Sequence, residues 1–230
     1  MKSLSTLFTM LALTLFGVFF VIALAGVPLL FAILITTTGI IWVQDLGHPL
    51  ETIFLSFIGG VEPFILLAVP LFIFAGELLA QGGVGRRIVE FARVLFGWLP
   101  GGLGVVTVMS CTMFGGVSGS AIADTAAIGS LVTPAMVARG YSRGFAAALL
   151  AVAGTIALLM PLSIPFLIYA FISGVSMRTL SMAGLLPALA SALALIVVCM
   201  WHGRRTGVDN GEDRSTPAQI WAATRDAGPA

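Results

Sequence analysis

In a chain this apolar, polar groups at membrane depth are costly, so chemistry is sought where Ser, Thr, Asp, Gly and Pro interrupt the apolar pattern. The first such place is Gly115-Gly116-Val117-Ser118-Gly119-Ser120, with Asp124 about one turn later. A helix break here leaves the carbonyls ending one half-helix and the amides starting the next unpaired. These suit a sodium ion and an anionic substrate group, respectively. The hydroxyls of Ser118 and Ser120 can complete an oxygen-only shell for a hard cation. A carboxylate such as Asp124 costs about 2.5–3.5 kcal/mol at a membrane helix centre and calls for a partner. It either coordinates the ion or caps the second half-helix from its first turn. Gly115 and Gly119, four residues apart, equally suit plain helix packing in lipid.

The second place runs from Gly154 to Pro165, where Pro161 and Pro165 remove backbone donors and break the helix. Such breaks persist at membrane depth only where protein or a water-filled cavity satisfies the freed groups. Thr155 and Ser163 supply hydroxyls beside this one; a simple proline kink is the alternative. Tyr169, just beyond, reads as an interfacial anchor. Gly116-Val117-Ser118-Gly119 has the G-x-S-G form of rhomboid-type intramembrane serine proteases, a chemistry that needs a base to activate the serine. His48 falls in an acidic loop and His202 at a helix end beside Arg204, both expected to be solvated, so an enzyme is not expected. Gly82 to Gly85 lack the lysine and spacing of a phosphate-binding loop.

The elements that must position these residues are membrane helices. The 230 residues are 59% hydrophobic and 9% charged, with a mean hydropathy of +1.09, against roughly 25% charged in a soluble domain. A water-soluble fold is excluded, and the net charge of +1 gives no indication of nucleic-acid binding. Cys111 and Cys199 sit in apolar segments as small hydrophobes, with no disulfide framework or metal spacing. The first apolar run, Leu4 to Leu24, is longer than a signal-peptide core and reads as a retained helix.

Residues 4–25 and 27–43 read as two spans joined at Gly26-Val27-Pro28. The acidic stretch 44–62 holds a short interfacial helix from Pro49 to Phe57, and a third span covers 63–80. Arg86, Arg87, Glu90 and Arg93 then alternate with apolar residues as far as Trp98, the pattern of an amphipathic surface helix. Apolar arms on either side of Ser118, within about 102–138, are each short for a crossing and read as a re-entrant hairpin. A broken span follows at about 145–173, then a span at 180–201. On this topology nine of the eleven basic residues lie on one face, Lys2 and Arg178 being the exceptions. The excess of basic residues makes that face cytoplasmic. Two thin complete spans in place of the hairpin give the same charge count. Residues 1–202 thus form a transmembrane domain and 203–230 a polar cytoplasmic tail, in which Ser215-Thr216-Pro217 starts a helix carrying Trp221 at the interface.

PLFIFAGELLAQGGVGRRIVEFARVLFGWLPGG, FGGVSGSAIADTAAIGSLVTPAMVARGYSRGFAAALLAVAGTI and SIPFLIYAFISGVS together resemble the large membrane subunit of tripartite ATP-independent periplasmic (TRAP) transporters over about residues 60–200. The resemblance implies an all-α polytopic bundle, one of two inverted repeats of an elevator-type sodium symporter in a bacterial inner membrane. It implies import of organic acids such as C4-dicarboxylates, with no cofactor besides sodium as coupling ion. The implied partners are a small four-helix membrane subunit and a periplasmic solute-binding protein. Ser118, Gly119, Ser120 and Ala121 then form the hairpin tip, and Gly154, Thr155, Ser163 and Pro165 the unwound span beside it. Ser118, Ser120, Thr155 and Ser163 are the sodium-site candidates. Two departures stand out. Ala157-Leu158 and Pro161-Leu162 replace Gly-Pro and a double proline, raising the helical propensity of the break. The length also matches only the first repeat, so a complementary C-terminal half is expected to be needed for transport. The alternative is a non-transporting scaffold or remnant.

Overall fold

The computed structural model describes residues 2–43, 50–61, 64–209, 211 and 215–227. Among these every regular element is helical, as expected where backbone polar groups must be satisfied within one segment. The chain forms two units, residues 1–63 and 64–230.

In the first unit α1 (Lys2–Leu24) and α2 (Leu29–Val43) pack side by side. The turn between them contains Gly26 at φ 86 and ends on Pro28, which starts α2 by offering its carbonyl to Ala32 N–H. α3 (Leu50–Val61) runs four residues beyond the expected end at Phe57. Pro49, Asp45, His48 and Glu62 lie outside the described residues.

The second unit begins with α4 (Phe64–Gln81), which bends by 65° into the amphipathic α5 (Val84–Phe96). α6 (Gly102–Ser118) and α7 (Ala121–Ala138) form a hairpin that α8 (Arg143–Thr155) packs against. The chain then tightens into a 3-10 turn at Ile156–Leu159, turns through Pro161 and Leu162, and resumes as α9 (Ile164–Ser173). α10 (Met177–Thr206) returns over 30 residues, several beyond the expected 180–201 at each end, and α11 (Pro217–Ala227) lies against α5. Among the described residues three segments, 121–138, 143–173 and 177–206, are long and apolar enough to cross a membrane, or four if the bent α4–α5 pair counts as one. The chain is an all-α polytopic membrane protein.

The core of this unit is α6. Val105, Val108, Cys111 and Phe114 are fully buried, packed with Ile128, Val132 and Met136 of α7, Ala153 of α8 and Cys199 of α10. Small residues allow the approach. A Cβ on Gly101 would sit 2.4 Å from Cys199 O, and one on Gly203 2.5 Å from Gly101 N, so α10 touches the backbone entering the hairpin. Thr107 Oγ1 donates to Leu103 O at 2.7 Å and lies 3.5 Å from Met136 Sδ, a contact between the two arms near their base.

Candidate functional site

Both arms of the hairpin point their broken ends at the break in the following span. α6 continues through Gly115 and Gly116 to Ser118, into the glycine-rich stretch where the break is expected. The reason is packing: a Cβ on Gly115 would lie 2.5 Å from Ala157 Cβ and 2.9 Å from Asp124 Oδ2, so only glycine lets α6 meet the 3-10 turn here. Gly119 ends α6 in the left-handed conformation at φ 61, donating its N–H to Gly115 O. Ser120 is extended and caps α7, its hydroxyl accepting Ala123 N–H. That role had been open to Asp124; the serine takes it.

Gly119 also touches the break. Its carbonyl accepts Ile164 N–H at 3.3 Å, and a Cβ on it would lie 2.8 Å from Leu162 O and 3.0 Å from Ser163 Cα. Ser163 is fully buried, donates to Leu158 O at 2.8 Å and caps α9 by accepting Phe166 N–H. With its proton and one lone pair used, the Ser163 hydroxyl keeps one lone pair as an acceptor. Pro165 occupies the first turn of α9, where no donor is missed. The break persists although Ala157 and Leu158 favour helix. The segment tightens to a 3-10 turn, and Leu162 takes φ 68, a conformation that costs a non-glycine residue about 1–2 kcal/mol.

The candidate residues do not all converge. Gly154 packs on α7: a Cβ there would meet Thr125 Oγ1 at 2.2 Å and Ala121 O at 3.4 Å. Thr155, next to it, is exposed and turns its hydroxyl back onto Val152 O at 2.7 Å. Ser118, Gly119, Ser120, Ala121, Gly154, Ser163 and Pro165 are thus gathered around the joined breaks, whereas among the described residues no hydrogen bond ties Thr155 to the tip. α4 closes one side, with Gly76 3.7 Å from Ser118 O by its would-be Cβ.

Asp124 is 0% exposed. Ser118 Oγ donates a short hydrogen bond to its Oδ1, and Ser118 Oγ also accepts Ser120 N–H at 3.2 Å. Asp124 Oδ2 has no hydrogen-bond partner among the described residues. No group of three or more His, Cys, Asp and Glu residues is placed to hold a metal, among the described residues. An oxygen-only set of hydroxyls, carbonyls and one carboxyl suits a hard cation rather than a transition metal.

At the opposite end of the hairpin lies a cluster that the sequence did not announce. Asp209, in the polar stretch after α10, has a side chain 2% exposed and takes the Arg139 guanidinium at 2.8 Å. It also accepts Leu103 N–H at 2.7 Å and Tyr141 O–H at 3.3 Å. Its backbone carbonyl accepts Gly101 N–H at 2.8 Å. Tyr141, in the loop between α7 and α8, has its phenol pushed above the usual range, first by burial and then by the Asp209 carboxylate. His202 is not solvated as expected: it is half-buried and stacks on Phe145 at 3.9 Å with an interplanar angle of 8°.

Residues 7–230 match the family model described as Tripartite ATP-independent periplasmic transporter, DctM component. The chain is 35% identical over 196 residues to the 2,3-diketo-L-gulonate TRAP transporter large permease protein YiaN of Escherichia coli, covering 85% of this chain and 46% of that protein. It is 34% identical over 232 residues to the C4-dicarboxylate TRAP transporter large permease protein DctM of Rhodobacter capsulatus, covering 95% and 52%. It is 36% identical over 193 residues to the isethionate TRAP transporter permease protein DctMQ of Oleidesulfovibrio alaskensis, covering 84% and 30%. The chain thus spans about half the length of these relatives, or less.

Proposed function

The chain belongs to the DctM component family of tripartite ATP-independent periplasmic transporters, and from that premise we propose that it forms one repeat of a sodium-coupled importer of organic acids. It is a transporter component rather than an enzyme. In the proposed reading α6 and α7 are a re-entrant hairpin and α8–α9 the broken helix beside it. Together they make one ion site and half of a substrate site in a bacterial inner membrane. The observation that carries this reading is the bond from Ile164 N–H to Gly119 O, which joins two helix breaks whose serines, Ser118 and Ser163, are both buried.

The residues fit a sodium ion. Ser118 and Ser163 each have their proton committed to an acceptor and a lone pair remaining, and unwound backbone carbonyls stand beside them. When bound, the ion supplies positive charge beside the buried Asp124 carboxyl, whose Oδ2 has no hydrogen-bond partner among the described residues. An anionic substrate group would face the amides starting α7 and α9. The solute class, C4-dicarboxylates among the possibilities, is supported by what the relatives are named for, which also include sugar-acid and sulfonate carriers. A small membrane subunit, a periplasmic solute-binding protein and a complementary second repeat complete the proposed machine, and the elevator movement belongs to that assembly.

The test is thermal unfolding of the purified chain in sodium against potassium. A stabilisation specific to sodium, lost on Ser118→Ala, supports the ion site. Equal unfolding in both salts leaves Gly115 and Gly119 as packing residues of a scaffold and overturns it.

A further inference from the structure

Beside the outer end of the hairpin, away from its tip, α5 and α7 enclose a cleft of about 280 Å³ whose lining is divided by chemistry. Arg86 and Arg93 line it from α5, seven residues apart and therefore on one face of that helix. Arg139, the residue that caps the end of α7, lines it from the other side. Leu131 and Ala135, both exposed, continue the lining along α7, eight and four residues before Arg139. They lie on one stripe of the helix, about 12 and 6 Å closer to the tip at 1.5 Å per residue. The cleft is thus cationic at the outer end and apolar along the arm.

The charges do not cancel within the lining. Glu90 is its one acid, 3.9 Å from Arg93, and the buried Asp209 holds Arg139 at 2.8 Å. Among the described residues no hydrogen bond or ion pair engages Arg86. An excess of basic residues at this end serves topology by number alone. Topology does not require three arginines from two helices to converge on one apolar stripe.

A soluble phosphate would use the cations and leave the stripe bare, and an acidic peptide has no need of an apolar track along a membrane helix. A phospholipid uses both, its phosphate at the surface and its acyl chain along the arm. Basic pockets between membrane helices on the cytoplasmic side take anionic headgroups in this way.

We propose that this cleft binds an anionic phospholipid of the cytoplasmic leaflet, with Arg86 and Arg93 holding the phosphate beside Arg139, and Leu131 and Ala135 carrying an acyl chain. The lipid then joins the surface helix α5 to the second arm of the hairpin. The inference rests on the reading of this end as the cytoplasmic membrane surface and makes no use of the ion site.

The experiment is thermal unfolding of the purified chain in maltoside micelles and potassium chloride, titrated with dioleoyl phosphatidylglycerol or dioleoyl phosphatidylcholine. Glycerol 3-phosphate serves as the soluble headgroup. Three variants accompany the parent. Arg86→Gln removes a cation from the cleft. Arg87→Gln removes the same charge from the neighbouring residue, which does not line it. Ala135→Trp keeps every charge and fills the apolar track. Arg86 and Ala135 are exposed, so both cleft variants should unfold with the parent in lipid-free micelles.

Stabilisation by phosphatidylglycerol over phosphatidylcholine supports the inference when Arg86→Gln raises the half-maximal lipid concentration about fivefold, Ala135→Trp raises it comparably and Arg87→Gln leaves it unchanged. Equal weakening by Arg86→Gln and Arg87→Gln would reduce the effect to diffuse attraction and overturn it. So would equal stabilisation by the two lipids, or a response to glycerol 3-phosphate as strong as the lipid's. Micelles have no leaflets and potassium keeps the sodium site out of the titration, so a negative result here is distinct from a failure of the topology or of the ion site.

Discussion

Asp209 binds Arg139 at 2.8 Å across 70 residues of sequence, and through this pair the stretch after α10 is fastened to the end of the hairpin's second arm. The same carboxylate accepts Leu103 N–H at the start of the first arm, so it caps α6 from outside that helix, where an acidic group is favoured by both the free amides and the helix dipole. Entry and exit of the hairpin therefore meet at one point. Replacing Asp209 by Ala is expected to destabilise the chain by about 2–3 kcal/mol, since a buried acceptor serving a guanidinium, an amide and a phenol is lost. Arg139→Ala should cost less, because Leu103 N–H keeps its acceptor and Arg139 is one-third exposed. Thermal unfolding of the two variants gives the order; an Arg139 variant as damaged as the Asp209 variant would contradict the capping role.

Tyr141 makes this cluster sensitive to alkaline pH. Its folded-state pKa lies above the unfolded value, with burial as the main cause and the Asp209 carboxylate next. The contribution to stability is then complete below about pH 10, the unfolded value, and is lost as pH rises from there through the folded value, because the unfolded state releases the proton first. Unfolding temperatures should fall more steeply above about pH 10 for the parent than for Tyr141→Phe. Parallel slopes would count against it.

Close packing around the tip predicts a contrast among glycines. Gly115→Ala places a methyl within 2.5 Å of Ala157 Cβ, in a wall that also includes the fully buried Phe114 and Asp124. A cost of about 1–3 kcal/mol from overpacking follows. Gly144, in the first turn of α8, has nothing within 4 Å of a would-be Cβ, and Ala there should leave stability unchanged or raise it by up to about 1 kcal/mol. Chemical or thermal unfolding of the two variants distinguishes these signs.

Much of this was legible in the sequence because membrane helices are written in simple terms. Apolar runs located α1, α2 and α4, the alternation of Arg86, Arg87, Glu90 and Arg93 with apolar residues gave α5, and glycine, serine and proline marked both breaks. The limits were equally physical. The helical continuation through Gly115 and Gly116 depends on Ala157 across the contact, which local propensity does not contain. The role of Asp209 was hidden because a single acidic residue in a polar stretch looks solvated until the backbone it caps, 106 residues away, is brought to it. His202 was misread for the same reason: its burial comes from Phe145, a partner on another helix. The signal available for Asp209 was Gly207 and Gly211 around it, both at positive φ, which mark a tight turn rather than a loose tail.

The strained turn at Leu162 offers a test of the break itself. Leu162 holds φ 68 with a side chain about half exposed, so glycine would remove the left-handed penalty, whereas alanine would keep it. Leu162→Gly is expected to exceed Leu162→Ala in stability by about 1 kcal/mol. Equal stabilities would mean that the turn relaxes out of this conformation when the side chain is shortened.

The last prediction concerns topology. α6 and α7 are 17 and 18 residues long, about 25 and 27 Å at 1.5 Å per residue, against a hydrocarbon thickness of about 30 Å, so α7 alone is long and apolar enough to cross and α6 falls just short. Their outer ends share the Asp209 carboxylate, so positions 98 and 140, flanking the hairpin, must be reached from the same membrane face. Cysteines placed there in a background with Cys111 and Cys199 replaced by Ala should both react with an impermeant maleimide added to that face alone. Reaction from opposite faces would break the hairpin and the ion site built on its tip. A cysteine at Ile122, 85% exposed beside the tip, adds the finer distinction. Rapid labelling from the far face would make the arms complete crossings, whereas protection there is the outcome expected of a re-entrant turn, because the tip then ends within the bilayer.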